Sequence, residues 1–350
     1  MSTGLIITKA LENLGFYVVG DREYPSLIKG GTSCFTINAS HDPIYSLSST
    51  PDILIAIDKP CLVHYFHTLR DGGVLVHGYE RTAGIQDILD EAKERNITVI
   101  HQNARDIVAE AGGNSRMKNT VLIGMVWKAL GLDFANIKAE IETMFARKPK
   151  VIPPNIKCAQ LGYDRTELVE ATKVEVPAKN ETTIFIDGNH SLALGAIHAG
   201  VRVYYAYPMS PSSSILSHMA NYAREFNITV KQAEDEITVA NLTIGSMYAG
   251  TRALCATSGG GYDLMTETVS LAGIIETPFV CVVVQRPGPA TGLPTWTGQG
   301  DLNLALYSSH GEFARMVIAV ADAEDAFELI QHAMNFAEQY QIPVIVSVKK

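Results

Sequence analysis

At 350 residues the chain is long enough for two domains of ordinary size, each with its own core. Hydrophobic residues make up 47% and charged ones 19%, the balance of a soluble globular protein, and a net charge of −9 argues against a nucleic-acid or anionic-membrane surface as the main partner. Five scattered cysteines without a C-x-x-C pair exclude a zinc or iron–sulfur site built from local spacing; with no secretory signal and no apolar run long enough to span a bilayer, they point to a reducing cytoplasm.

The opening MSTGLIITKALENLGF predicts a helix over residues 3–14, closed by Gly15. From Phe16 onward, short β-branched runs alternate with helical ones. YVVG, TSCFTINAS, PDILIAID, GGVLVHG and ITVIHQ read as strands, and residues 118–130 as a helix, so the first domain is α/β with a largely parallel sheet. Lys29-Gly30-Gly31, between two of those strands, is either an anion-binding turn or a tight loop needing positive φ. A helix-rich tract follows at residues 133–145. The proline-containing, weakly periodic stretch after it sets the division: a first domain over 1–150, a linker over 151–180 with NIKCAQLGYD as one helix turn inside it, and a second domain over 181–350.

The second domain repeats strand, loop and helix. After Gly188 a helix carries small residues suited to close packing on a sheet. VRVYYAYP is a strand ending at a polar turn, and Ser212 or Ser213 can cap the helix over 215–226. ITVKQAEDE gives strand and turn, VANLTIGSMYAG a helix, ALCATSGGG a strand running into a glycine loop, and YDLMTETVSLAGIIE another helix. FVCVVVQR is a strand, and the tail holds FARMVIAV, the helix AEDAFELIQHAMNFAEQY and the strand IPVIV. The chain thus opens on the helix over 3–14, with no strand before it, and stops on the strand IPVIV, so it reads as cut at both sides.

If this second sheet is parallel, four loops face one cleft at its carboxyl ends. They carry Tyr207 to Ser213, Glu234-Asp235-Glu236, Ser258 to Gly261, and QRPGPATGLPTWTGQGD over 285–301. The last holds three prolines and four glycines in seventeen residues, which permits neither helix nor ladder, yet it contains an arginine and a tryptophan. It reads as an ordered loop presenting Arg286 and Thr295 to a polar ligand. The two prolines of YPMSPSS hold its hydroxyls for a carboxylate or phosphate, although an ordinary helix cap also accounts for Ser212 or Ser213. Any one of the acidic trio can be dipole capping. Glu236, however, opens a helix of small and apolar residues, which sets its carboxylate at a dry edge where desolvation raises its pKa. Ser258 to Gly261 either cradles an anion or only turns.

TIFIDGN with LALGAIHAG, YPMSPSSS, KQAEDE with IGSMYAG, TSGGG, QRPGPATGLPT, and the pair Gln299 and Asp301 together resemble the α subunit of 2-oxoacid:ferredoxin oxidoreductases. EYPSLIKGG, PDILIAID and KNTVLIG resemble the γ domain fused ahead of it, so the resemblance spans the chain in order. It implies two three-layer α/β domains, the second of the thiamin-diphosphate pyrimidine-binding type. It further implies CoA-dependent oxidative decarboxylation of a 2-oxo acid, such as pyruvate or 2-oxoglutarate, to acyl-CoA with electrons passed to ferredoxin. A separate β subunit would hold the diphosphate, Mg2+ and a [4Fe-4S] cluster. On this resemblance Glu236 is the catalytic acid that bonds the aminopyrimidine. Tyr207, Ser210, Arg286 and Thr295 bind the substrate, and Ser258 and Gly259 touch the cofactor. Ser210 stands where the family has a threonine, and His190 and Ser191 stand where it has an acidic residue and an alanine. The family's γ domain begins with a strand and a glycine turn before the helix that opens this chain, and longer members continue past IPVIV, which implies a chain truncated at both ends. The rival reading is a non-catalytic or scaffold chain of the same complex. A third, a nucleotide- or coenzyme-binding role for the first domain, rests on Lys29-Gly30-Gly31.

Overall fold

The computed structural model describes residues 2–25, 31–80, 82–178 and 183–349. The chain divides into two compact units, one of residues 1–23 and 31–185, the other of residues 24–30 and 186–350.

The first unit opens with α1 (Ser2–Asn13), closed by Gly15 at φ +99°, then β1 (Tyr17–Glu23) and β2 (Cys34–Ser40). These two strands do not join the parallel sheet: they pair antiparallel with each other, from Tyr17 opposite Ser40 to Glu23 opposite Cys34. The connection between them is shorter than the roughly twelve or more residues that a parallel crossover needs. Of the glycine turn expected there, Lys29 and Gly30 lie outside the described residues.

The parallel sheet of this unit runs β3-β4-β5, from β3 (Ile53–Ala56), through β4 (Val74–His77), to β5 (Thr98–His101). Between β3 and β4 lies α2 (Lys59–Tyr65), between β4 and β5 α3 (Gln86–Glu94), and after β5 come α4 (Ala104–Glu110) and α5 (Lys118–Ala129). Successive side chains of β4 leave by opposite faces. Leu75 packs with Leu62 and Ala92 of α2 and α3, while Val74 and Val76 pack with Ile107 and Val121 of α4 and α5. Helix α5 is buried along nearly all of its length, as its continuous apolar composition requires.

Behind α5 lie α6 (Phe134–Met144) and α7 (Ile152–Asp164). The stretch 151–180 is therefore not a bare linker, and NIKCAQLGYD is the body of a thirteen-residue helix rather than one turn. Helix α7 lies close against α5 because both carry glycine at the crossing. A Cβ on Gly124 would overlap the carbonyl oxygen of Ala159, and one on Gly162 that of Val121. The sequence hides this because close backbone approach needs small residues rather than a large apolar stripe.

The second unit runs α8 (Gly188–His198), β6 (Val203–Ala206), α9 (Ser213–Tyr222), β7 (Thr229–Gln232), α10 (Glu236–Tyr248), β8 (Ala253–Thr257), α11 (Gly259–Asp263), α12 (Thr266–Ile274), β9 (Phe279–Gln285), α13 (Leu302–Tyr307), β10 (Met316–Val320), α14 (Ala323–Tyr340) and β11 (Pro343–Lys349). Its six strands are all parallel, in the order β10-β11-β9-β8-β6-β7. Every residue of β9 is buried, the pattern of a strand covered on both faces. Val280, Val282 and Val284 face the layer of α8, α9 and α14, while Phe279, Cys281 and Val283 face that of α10, α11 and α12. This is a three-layer α/β domain. From β6 the chain winds outward to β7 and then returns to β8 on the other side, so the sheet switches direction between β6 and β8. A crevice opens at such a point, beyond the carboxyl ends of the strands.

Candidate functional site

The four loops singled out in the second unit leave the carboxyl ends of β6, β7, β8 and β9. Asp235 caps α10, its Oδ1 accepting from the Thr238 N–H at 2.7 Å, which leaves Glu236 as the first helical residue with no capping duty. Glu236 is 3% exposed, and its Oε1 has no hydrogen-bond partner among the described residues. Burial raises the pKa of this carboxyl, against the pull of its own backbone N–H and, more weakly, of Arg286. The space beside Oε1 exists because residue 261 is glycine: a Cβ there would lie 2.8 Å from that oxygen and would overlap the Thr257 hydroxyl.

The glycine run therefore does something other than form an open loop. Gly259 to Asp263 is the short helix α11, and Ser258 at its head is fully buried with an unpartnered hydroxyl. A Cβ on Gly259 would overlap the carboxylate of Asp301.

The loop after β9 keeps no regular structure over residues 286–301. It folds back on itself at Gly292, where φ is +55° and a Cβ would overlap the carbonyl of Pro287. Arg286, 8% exposed, donates from Nη1 to the carbonyl oxygen of Ser210 at 2.6 Å, while its Nε is buried and unpartnered. Its guanidinium meets the backbone of Ser210 rather than the hydroxyl that sequence reasoning emphasised, and Ser210 itself is exposed. Thr295 is 9% exposed and donates its hydroxyl to the Tyr24 carbonyl, so it is not an open donor on a cleft. Tyr207 is exposed on the same turn as Ser210. Ser212 does not cap α9 through its side chain; its hydroxyl donates to the Met209 carbonyl at 2.7 Å and closes the turn. Met209 in turn lies with its sulfur 3.7 Å from the Thr257 hydroxyl, which ties this turn to the end of β8.

Asp301 is the member that residue-by-residue reading missed. Its Oδ2 is buried and unpartnered, and burial raises its pKa while Arg286 lowers it. Its backbone N–H donates to Gln285 Oε1 at 3.0 Å, and the other end of that amide donates to Ser347 Oγ of β11 at 2.8 Å. The pairing of Gln299 and Asp301 at the loop's end was the available signal. Glu236, Arg286 and Asp301 thus form a charged cluster in which two acids act through space on one guanidinium, Glu236 and Arg286 buried and Asp301 half-buried. Burial also lowers the pKa of Arg286 against the pull of both acids. Such a group, with a free carboxyl oxygen, a free guanidinium Nε and a free serine hydroxyl, is fitted to bind a polar ligand and move a proton within it.

A family model described as pyruvate flavodoxin/ferredoxin oxidoreductase, thiamine diP-bdg, matches residues 194–350, and one described as pyruvate ferredoxin/flavodoxin oxidoreductase matches residues 1–165. The chain is 32% identical to the 2-oxoacid:ferredoxin oxidoreductase subunit alpha of Sulfolobus sp, covering 99% of this chain and 61% of that protein. It is also 32% identical to the 2-oxoglutarate oxidoreductase subunit KorA of Mycobacterium tuberculosis, over 92% of this chain and 54% of that one. The solved 2-oxoglutarate:ferredoxin oxidoreductase from Magnetococcus marinus, with 2-oxoglutarate, coenzyme A and succinyl-CoA bound, superposes with a TM-score of 0.90. It shares 29% identity over 99% of this chain and 60% of that one. The chain thus spans less than two thirds of the length of each of these proteins.

Proposed function

The chain belongs to the 2-oxoacid:ferredoxin oxidoreductase family, and on that premise we propose that it is the α-subunit portion of such an enzyme, which converts a 2-oxo acid and coenzyme A to an acyl-CoA. One observation carries the reading: the buried, unpartnered Oε1 of Glu236, with a raised pKa, stands at the carboxyl edge of a parallel sheet in the same charged group as Arg286. A carboxyl that holds its proton more tightly than usual is suited to exchange it with a ring nitrogen. Thiamin diphosphate, when bound, supplies the electron sink for decarboxylation. Glu236 would hold the aminopyrimidine side of that cofactor and move its proton, with Ser258 and Gly259 beside it.

Arg286 is held by one arm on the Ser210 carbonyl and keeps Nε for the carboxylate of the 2-oxo acid. Guanidinium groups pair with carboxylates through parallel N–H donors, so the pose is pre-set rather than assembled on binding. Ser210 and Tyr207, on the turn to which Arg286 is anchored, would flank it, whereas the Thr295 hydroxyl is committed to the Tyr24 carbonyl. A solved relative has 2-oxoglutarate bound, which supports a small 2-oxo acid of that class as the substrate. We assign the diphosphate, its Mg2+ and a [4Fe-4S] cluster to a β subunit, because the scattered cysteines here offer no local cluster motif. Ferredoxin is the electron acceptor of the assembled complex. All five cysteines are free thiols, which suits a reducing cytoplasm. Among the described residues no helix is long and apolar enough to cross a membrane.

The test is reconstitution of the full chain with its β subunit, thiamin diphosphate, Mg2+, coenzyme A and a 2-oxo acid, following viologen reduction. Glu236→Gln is expected to assemble normally and to lose turnover by about 10²–10⁴-fold, the usual worth of a positioned acid–base group. Undiminished turnover would remove Glu236 from proton transfer, and an inactive wild-type mixture would favour the non-catalytic scaffold reading.

A further inference from the structure

We propose that Asp187, His190 and His218 form a binding site for a divalent transition metal of the zinc class, distinct from the charged group of Glu236, Arg286 and Asp301. The three side chains each offer a ligand atom, and these atoms all lie within 4.8 Å of one another. Asp187 immediately precedes α8, His190 is in its first turn, and His218 is on α9, so a bound ion would clamp the two helices together.

Ordinary packing accounts for only part of this arrangement. Asp187 caps α8 through Oδ1, which accepts from the His190 N–H at 3.0 Å; that leaves Oδ2 turned toward His218. The Oδ2 to Nε2 separation is 3.7 Å, too long for a hydrogen bond. It is close to the edge of about 3.3 Å between two ligands of a tetrahedral zinc whose bonds are each about 2.0–2.1 Å. The two imidazoles lie stacked, 4.1 Å apart with 4° between their planes, so the half-buried His218 ring must turn about its Cβ–Cγ bond for both nitrogens to point at one ion. Tyr222, one turn beyond His218 on α9, sits with its hydroxyl 2.9 Å from Nε2 of His190 and fixes the ring, the part an outer-shell partner plays in known metal sites. Two imidazoles and one carboxylate select zinc, cobalt or nickel over magnesium and calcium, which prefer all-oxygen sets. Three protein ligands would leave a fourth position for water.

The position gives the metal a use. Asn189, between two of the ligands, donates from Nδ2 to the Pro211 carbonyl at 3.0 Å and to Ser214 Oγ at 2.7 Å. The turn it holds is the one whose Ser210 carbonyl meets Arg286. A metal that fixes the first turn of α8 therefore fixes this turn as well.

The site is tested on the full chain, stripped with EDTA and titrated with Zn2+ by calorimetry and with Co2+ by visible absorption. The wild type is expected to take up one saturable equivalent more than the His190→Ala/His218→Ala variant, with a tetrahedral Co2+ spectrum that Zn2+ bleaches and excess Mg2+ does not. Asp187→Asn is expected to weaken binding at least tenfold. Equal stoichiometry in the wild type and the double variant, or displacement of Co2+ by Mg2+, would overturn the assignment. Circular dichroism establishes that each variant is folded. Should the double variant unfold, the single His218→Gln carries the test: Zn2+ should raise the melting temperature of the wild type and not that of the variant, and an equal rise in both would sink the site. None of these readouts requires turnover, so the outcome is independent of the proposed reaction.

Discussion

Glu236 and Asp301 show how a functional arrangement works against stability. Both carboxyls are raised by burial, and both keep an oxygen without a partner. An acid whose pKa is higher in the folded chain binds more protons there than in the unfolded chain. Stability therefore falls as the pH rises from the ordinary carboxylate range through the raised value, and the deficit remains at neutral pH. Glu236→Gln and Asp301→Asn are each expected to raise the melting temperature of the isolated chain at pH 7. The expected rise is roughly 2–4 °C for each kcal/mol recovered, fading near pH 4. A variant less stable than wild type at pH 7 would mean that Arg286 compensates the two acids fully. Glu236 was legible in the sequence because an acid at a strand's end, followed by small residues, has few structural explanations. Asp301 was not, because its significance depends on contact with Gly259, which spacing alone does not reveal. The direction of Arg286 was equally hidden: its anchor is a backbone carbonyl, and every residue has one.

Helices α5 and α7 carry the same lesson to the level of elements. Gly124 and Gly162 sit inside helices, where alanine ordinarily gains about 1 kcal/mol. Here a methyl group on either would meet the facing backbone, which cannot move aside as a flexible side chain could. Gly124→Ala and Gly162→Ala are expected to destabilise the first unit by about 1–3 kcal/mol or more, as overpacked cores do. Gly245→Ala in α10, exposed and with nothing within 4 Å of its Cβ, is expected to stabilise by up to ~1 kcal/mol. Thermal melts of the three variants decide it, and stabilisation at Gly124 or Gly162 would contradict the close approach. The strands of the second unit were readable because parallel, doubly covered strands are continuous apolar runs, as in FVCVVVQ of β9. The pairing of β1 with β2 was not, because a β-branched run has the same composition in either direction.

Over the whole molecule, the division into two units with separate cores predicts separate responses to acid. His77, at the end of β4, is 1% exposed, with both ring nitrogens unpartnered among the described residues, and burial, aided by His101, lowers its pKa to about 4 from the ordinary imidazole value near 6.5. The folded first unit keeps this ring neutral while the unfolded chain protonates it. Stability is therefore complete above pH 6.5 and is lost as the pH falls toward 4, by roughly 3 kcal/mol across that window. In calorimetric scans, His77→Phe is expected to flatten the acid limb of the transition belonging to the first unit and to leave the second transition in place. Movement of both together would contradict independent cores. The sequence disclosed that there were two α/β domains and that four loops of the second shared one edge. It placed a linker over 151–180, of which residues 152–164 form a packed helix, because prolines at the start of α7 resemble a break in structure although they suit the first turn of a helix.

The strand order of the second sheet bears on how the chain is made. Edge strand β10 pairs only with β11, which follows it in sequence, and β11 also fills the space beside β9. On the ribosome β10 and one side of β9 therefore emerge with backbone N–H and C=O groups that have no strand partner until β11 is translated. Helix α14, lying between β10 and β11 in the chain, can form early from local contacts, but the layer it must cover is incomplete. The vulnerable interval in biosynthesis is thus the passage from β9 to β11, when nascent chains are exposed to strand-edge association and to chaperone capture.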